Sequence, residues 1–393
     1  MKAKSFMTAI LLLSLATIAR GQPLDQFTPV VAAPLMQSIE PVIGTDGKRH
    51  AVYELRLINT RPAPATLLKI EVLDASKPSR VLAAYEGAEL LARLRTLDNK
   101  PAADANIEFN GARQLLLHLA FDAHADIPAR VIHRFDLRAQ VNLGSADAQP
   151  GRYTTAPFTL SRKDAPVIGP PLAGKHWVAL NGCCEADGIH RNSGLPVNGR
   201  IYYAQRFAID WLRLDDGGRL AHGDLGDVRS YAAYGADVLA VADGVVVDAL
   251  DTLDEQVPPN LPDPSTITLA NADGNHVVLD IGNGLYAFYA HLQKGKDGVR
   301  MRIGERVRRG QVIGKLGNTG NSSAPHLHFH LMDSISVLGS NGLPYVIDRF
   351  EYAGLVGAWA TALDQSLTSA LFAKPLLQRR DFPLDSNVVN FGR

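Results

Sequence analysis

Apolar and polar residues alternate along much of this chain with the two-residue period of strands that bury one face. The clearest such runs in the first half are 51–58 (AVYELRLI), 67–73 (LLKIEVL), 114–121 (QLLLHLAF) and 131–138 (VIHRFDLR). Turn-formers at 44–47 (GTDG) and 62–64 (PAP) separate them. Short alternating strands at this spacing predict an immunoglobulin-like β-sandwich over residues 28–161. A Pro-rich stretch within 162–173 follows and reads as a linker, because proline cannot donate to a strand ladder and stiffens the chain. Strand-like runs resume over 174–350, at 238–248 (VLAVADGVVVD), 276–281 (HVVLDI), 286–292 (YAFYAHL) and 326–331 (HLHFHL). The remaining 351–393 read as a C-terminal tail, its Ala/Leu-rich part between Leu355 and Leu376 predicting a short helix before an irregular end. The expected class is all-β.

The chain has 393 residues, 46% of them hydrophobic, which is enough for two cores and too long for one ordinary domain. Forty basic residues balance forty acidic ones, so no global field draws the protein to nucleic acid or an anionic membrane. Lys2 and Lys4, the apolar run from Phe6 to Ile18, and Ala19-Arg20-Gly21 have the form of a cleaved secretory signal over residues 1–21. No later run approaches a spanning helix, so the reading is a periplasmic or secreted protein. The two cysteines, Cys183 and Cys184, are adjacent; free thiols, a vicinal disulfide and metal ligation all remain open.

The strongest chemical signal is 325–330 (PHLHFH), which sets His326, His328 and His330 on one strand face. Three imidazoles side by side suit a bound metal better than a bare surface. Upstream lie Tyr289-Ala-His291-Leu, the Gly-rich 304–314 and 317–325, and Asp210 in 206–210 (RFAID). In this order the pieces resemble the lysostaphin/LytM-type zinc metalloendopeptidases over about 150 residues, 203–348. The resemblance implies a LytM-type antiparallel sheet, Zn2+ as cofactor, Asp210 and His328 as ligands, and His291 and His326 as catalytic histidines. Peptidoglycan peptide would be the substrate, with no nucleic-acid partner and no membrane span. His330 stands where the family usually carries an acidic residue, on the His328 face, and reads as a partner supporting that ligand.

One position departs from the pattern. The family has a histidine ligand four residues before the aspartate, and here that residue is Arg206, which cannot ligate a metal. His190, in 188–193 (GIHRNS), is the best-placed replacement, with the cysteines ranked below it. Arg206 is then expected to pair with Asp210 or to face substrate carboxylates. The alternative is a catalytically inactive module that binds cell wall or activates a separate hydrolase. Elsewhere, His118 and His133 read as structural or surface residues, His222 as a solvated loop residue and His276 as a strand-edge residue.

Overall fold

A computed structural model describes residues 25–142, 144, 147–358 and 363–392. The segment read as a signal lies outside them. The molecule is built almost wholly of strands, as expected, with a single α-helix of six residues, Gly87–Ala92, among the described residues. None of their helices is long and apolar enough to cross a membrane.

The N-terminal half folds as two sheets. One runs Val30–Pro34, Lys48–Asn59, Ala112–Asp122 and Leu94–Arg95, with Val42–Ile43 added to the second strand. The other runs Ser38–Ile39, Phe158–Leu160, Arg130–Ala139, Ala65–Asp74 and Lys77–Glu86, carrying Gln149–Thr154 and Asn106–Ile107 as extra strands. Their inner faces meet at Tyr53, which packs on Phe158 with ring centroids 4.9 Å apart and shares a 2.8 Å hydrogen bond with His133 Nε2.

The strand Lys48–Asn59 is unusual in being buried on both faces. Tyr53, Leu55 and Leu57 fill the core between the sheets, while alternation sends His50, Val52 and Glu54 to the other face. That second face is covered by the C-terminal half, where Glu54 meets Arg191 and Arg206.

The C-terminal half is organised on one long antiparallel sheet. Its order is Arg306–Val307, Gly244–Leu250, Asn275–Asp280, Tyr286–Leu292, Leu327–Met332, Ile209–Arg213, Gly174–Leu180, Asn387–Phe391, Phe350–Ala358 and Thr368–Gln378. The Pro-rich stretch is packed down: Ile168 and Leu172 are buried, and Val167–Ile168 pairs in parallel with Val346–Ile347.

Among the described residues, no helix forms between Leu355 and Leu376, where one was expected. Phe350–Ala358 and Thr368–Gln378 form an antiparallel pair, and the returning Asn387–Phe391 docks between Phe350–Ala358 and Gly174–Leu180. Val388 and Val389 are fully buried in that position. Ala and Leu favour helix in isolation, but here the pairing partner and the buried sheet face decide the conformation.

His133 links this packing to pH. Burial pushes its imidazole down to about 3, against an unfolded value near 6.5. Between those values the unfolded chain binds the proton and the folded one does not, so stability present above about pH 6.5 is lost as pH falls toward 3. Denaturant midpoints measured across this window should fall with acid, and His133→Gln, which keeps a polar partner for Tyr53, should flatten the fall. An unchanged slope in the variant would show that other groups set the acid limit.

Candidate metal and catalytic centre

The centre sits on Leu327–Met332, mid-sheet. Its neighbours fix two carboxylate and imidazole positions by register: Asp210 lies directly opposite His328 on one side, and Ala290 lies opposite it on the other. Paired residues share a face, so Asp210 and His328 project together, His328 Nδ1 lying 2.9 Å from Asp210 Oδ1.

His291 reaches the same face by a bulge. Regular alternation would send it opposite to Ala290, but the ladder slips between Asn275 and Val277, where two residues of Tyr286–Leu292 oppose one. At the slip His291 takes a positive φ of 60° and its N–H donates to the Asp273 carbonyl at 3.1 Å. Bulges re-aim side chains in this way. Its ring centroid then lies 4.6 Å from that of His326, which immediately precedes the histidine strand.

The remaining member comes from a loop. His190 opens a short 3₁₀ turn, His190–Asn192, and its Nε2 lies 3.3 Å from Asp210 Oδ2. One donor atom from each of His190, Asp210 and His328 fits within a 4.8 Å cluster, and all three residues are buried. Tetrahedral coordination at bond lengths of about 2.0–2.2 Å places ligand atoms about 3.3–3.6 Å apart. Spacings of 3.3 and 2.9 Å therefore need only small adjustment to hold such an ion.

The tautomers are set from outside the cluster. A carbonyl can only accept, so His190 Nδ1–H donates to Ala208 (3.0 Å), His291 Nδ1–H to Thr319 (2.7 Å) and His326 Nδ1–H to Ala324 (2.7 Å). Each leaves Nε2 for the centre. His328 is inverted: its Nε2 meets His330 Nδ1 at 3.0 Å, so Nδ1 faces Asp210. His330 thus backs His328, and its own Nε2 is buried with no hydrogen-bond partner. Asn181, which sequence reasoning passed over, donates from Nδ2 to Asp210 Oδ2 at 2.7 Å. It follows the strand Gly174–Leu180, whose Leu180 is the register partner of Asp210.

Electrostatics follow the geometry. Burial works against ionised Asp210, but His190 and His326 outweigh it and hold the carboxyl well below its usual range. Burial, reinforced by His326 and His328, keeps His291 well below the ordinary histidine value. His326 is opposed by burial yet raised by the Asp210 carboxylate.

Arg206 does not pair with Asp210, nor does it face an open groove. It is 1% exposed, and its Nε and Nη2 take both oxygens of Glu54 at 2.9 and 2.6 Å while Nη1 donates to the Gly342 carbonyl at 2.8 Å. Arg191, next to His190, donates to the same Glu54 and to the Tyr53 carbonyl. The sequence signal at Glu54 was one acid inside an apolar run, with its partners some 140 and 150 residues away. Of the other histidines, His222 is exposed, as expected, and His276 is the second residue of Asn275–Asp280, its Nδ1–H donating to the Gly274 carbonyl.

Residues 228–337 match the profile of Peptidase family M23. The C-terminal half carries an M23 peptidase domain. The glycyl-glycine endopeptidase ALE-1 of Staphylococcus capitis is 37% identical over 105 residues, 27% of this chain and 24% of that protein. The peptidoglycan DD-endopeptidase ShyA of Vibrio cholerae is 44% identical over 59 residues, 15% of this chain and 13% of its own. The chain therefore spans about a quarter or less of the length of these relatives. Among solved structures, the catalytic domain of lysostaphin from Staphylococcus simulans aligns at 23% identity over 43% of this chain and 88% of that one, with a TM-score of 0.24.

The Glu54 contact is testable directly. Glu54→Gln leaves two buried guanidinium groups without a counter-charge, and losing one partner of such a set costs about 3–5 kcal/mol. Urea unfolding should register that loss, and adding Arg206→Met to the variant should recover part of it. A Glu54→Gln protein as stable as wild type would show that the contact contributes nothing net.

Proposed function

We propose that the protein is an exported zinc endopeptidase that hydrolyses peptide bonds in the stems or cross-bridges of peptidoglycan. The observation that carries this reading is the convergence of His190 and Asp210 with His328, His291 and His326, the last three lying inside the segment that matches Peptidase family M23. The named relatives are endopeptidases, ShyA a peptidoglycan DD-endopeptidase. The sequence of residues 1–21 supports export.

His190 Nε2, an Asp210 oxygen and His328 Nδ1 would hold the ion, three protein ligands being the usual number in catalytic zinc sites. Bound there, zinc supplies Lewis-acid polarisation of the scissile carbonyl and a water acidified toward neutrality. His291, its Nδ1–H fixed on Thr319, offers Nε2 as the base that takes a proton from the attacking water. His326, equally fixed on Ala324, presents Nε2 beside it to stabilise charge on the carbonyl oxygen and to return a proton to the departing amine. Asn181 and His330 orient Asp210 and His328. The motive for a non-catalytic reading was Arg206, and His190 offers the nitrogen that Arg206 cannot.

Purified protein prepared without chelator should contain about one zinc per chain, measured by elemental analysis, consistent with a three-ligand site. His190→Ala and His328→Ala should lose both metal and peptidoglycan cleavage. His291→Ala and His326→Ala should retain the metal and lose cleavage by about 100-fold or more. Metal content unchanged in His190→Ala would remove it from the ligand set, and wild-type protein that neither carries nor takes up zinc would overturn the enzymatic reading.

A further inference from the structure

A second cluster of ligand-type side chains lies away from this centre, where the outer face of Lys48–Asn59 meets the C-terminal half. His50 and His118 occupy adjacent antiparallel strands on one face, since Val52, two residues from His50, is the register partner of His118. Their rings stack at 5.1 Å, and His50 Nδ1 lies 2.9 Å from His118 Nε2. Cys184 Sγ joins these two nitrogens within 4.8 Å, and both His50 and Cys184 are buried. Cys183 and Cys184 form a vicinal disulfide, which resolves the alternatives open in the sequence.

Two features point to a ligand here. The first is orientation: Asp46 Oδ1 accepts from His50 Nε2 at 3.0 Å, so the lone pair of Nδ1 is turned inward. A carboxylate fixing the outer nitrogen of an imidazole is the arrangement that supports metal-bound histidine. The second is composition: two imidazoles and a cysteine, with another cysteine adjacent, are the donor types of tetrahedral zinc sites.

We propose that His50, His118 and Cys184, with Cys183 beside them, form a second metal site for zinc or a similar thiophilic divalent cation, opened when the Cys183–Cys184 disulfide is reduced. A sulfur in a disulfide carries no charge to offer, whereas a thiolate is a strong ligand for such ions. The reductant is a phosphine in vitro or a dithiol. With a phosphine, phosphorus attacks one sulfur and the S–S electron pair leaves on the other. Water then converts the phosphonium to phosphine oxide, and both sulfurs end as thiols. The Cys184 thiol gives its proton to solvent on binding the cation.

Cobalt(II) titration of the full-length protein separates this site from the first, because the His190–Asp210–His328 cluster contains no sulfur. Phosphine-reduced protein should develop thiolate-to-cobalt charge-transfer absorption, and oxidised protein should not. Cys184→Ser and His118→Ala should abolish it while circular dichroism remains that of wild type. Asp46→Asn should weaken the cobalt affinity read from this band by about 10–100-fold. Absence of the band in reduced wild type would overturn the proposal. So would a band that survives His118→Ala, which would mark thiols binding cobalt without the imidazoles. Neither result depends on whether the first cluster binds metal.

Discussion

The structure turns on one buried carboxylate. Glu54 lies in the middle of an N-terminal strand, fully excluded from solvent, and receives Arg206 through both oxygens and Arg191 through one. Burial alone would raise its pKa, but the two guanidinium groups more than reverse this and keep it ionised. Three charges in a dry interface are costly to bring out of water. They are tolerated here because the outer nitrogens also find carbonyls: Gly342 for Arg206, Tyr53 and Leu117 for Arg191. The arrangement is specific in a way that apolar packing is not, since it demands that strand 48–59, the 190–192 turn and the segment before Ile209–Arg213 meet in one register.

That demand fixes where Arg206 points. With arginine four residues before Asp210, the position no longer supplies a nitrogen to the cluster; it supplies a cation to Glu54. The same carboxylate holds Arg191, and Arg191 adjoins His190. Glu54 thus joins Arg206 to the loop that carries His190. Two further contacts from the N-terminal sheet hold that loop, Arg95 to the Ala186 carbonyl at 2.9 Å and Arg95 to the Asn192 side chain. The N-terminal half is in contact with the loop that carries His190.

Much of what the sequence revealed of the cluster is carried by strands, while loop-borne His190 was reached as the replacement for the nitrogen that Arg206 lacks. Alternation alone places His326, His328 and His330 together, and the position of Asp210 within an apolar run is enough to put it on a neighbouring strand. His291 was legible only through resemblance, because period-two reasoning sends it to the wrong face and the bulge that corrects it leaves no compositional mark. Asn181 and Glu54 were invisible for a different reason. Their roles depend on partners 29 and about 150 residues away, and a single sequence carries no record of such pairs. The tail misled because alanine and leucine report helix propensity of a few tenths of a kcal/mol per residue, whereas burying Val388 and Val389 between two strands outweighs it.

A strand-borne ligand and a loop-borne ligand place different demands on a fold. Asp210 and His328 are held by ladder hydrogen bonds, so their separation is set before either side chain chooses a rotamer. His190 has no ladder; ordering its loop costs about 1–2 kcal/mol of backbone entropy per residue, which contacts made only by that loop must offset. Those contacts are the Ala208 carbonyl on Nδ1 and the ionic and amide partners contributed by Glu54, Arg95 and Tyr53. Most of them belong to the N-terminal sheet. The placement of His190 therefore depends on residues more than ninety positions upstream of it, across the interface between the two halves.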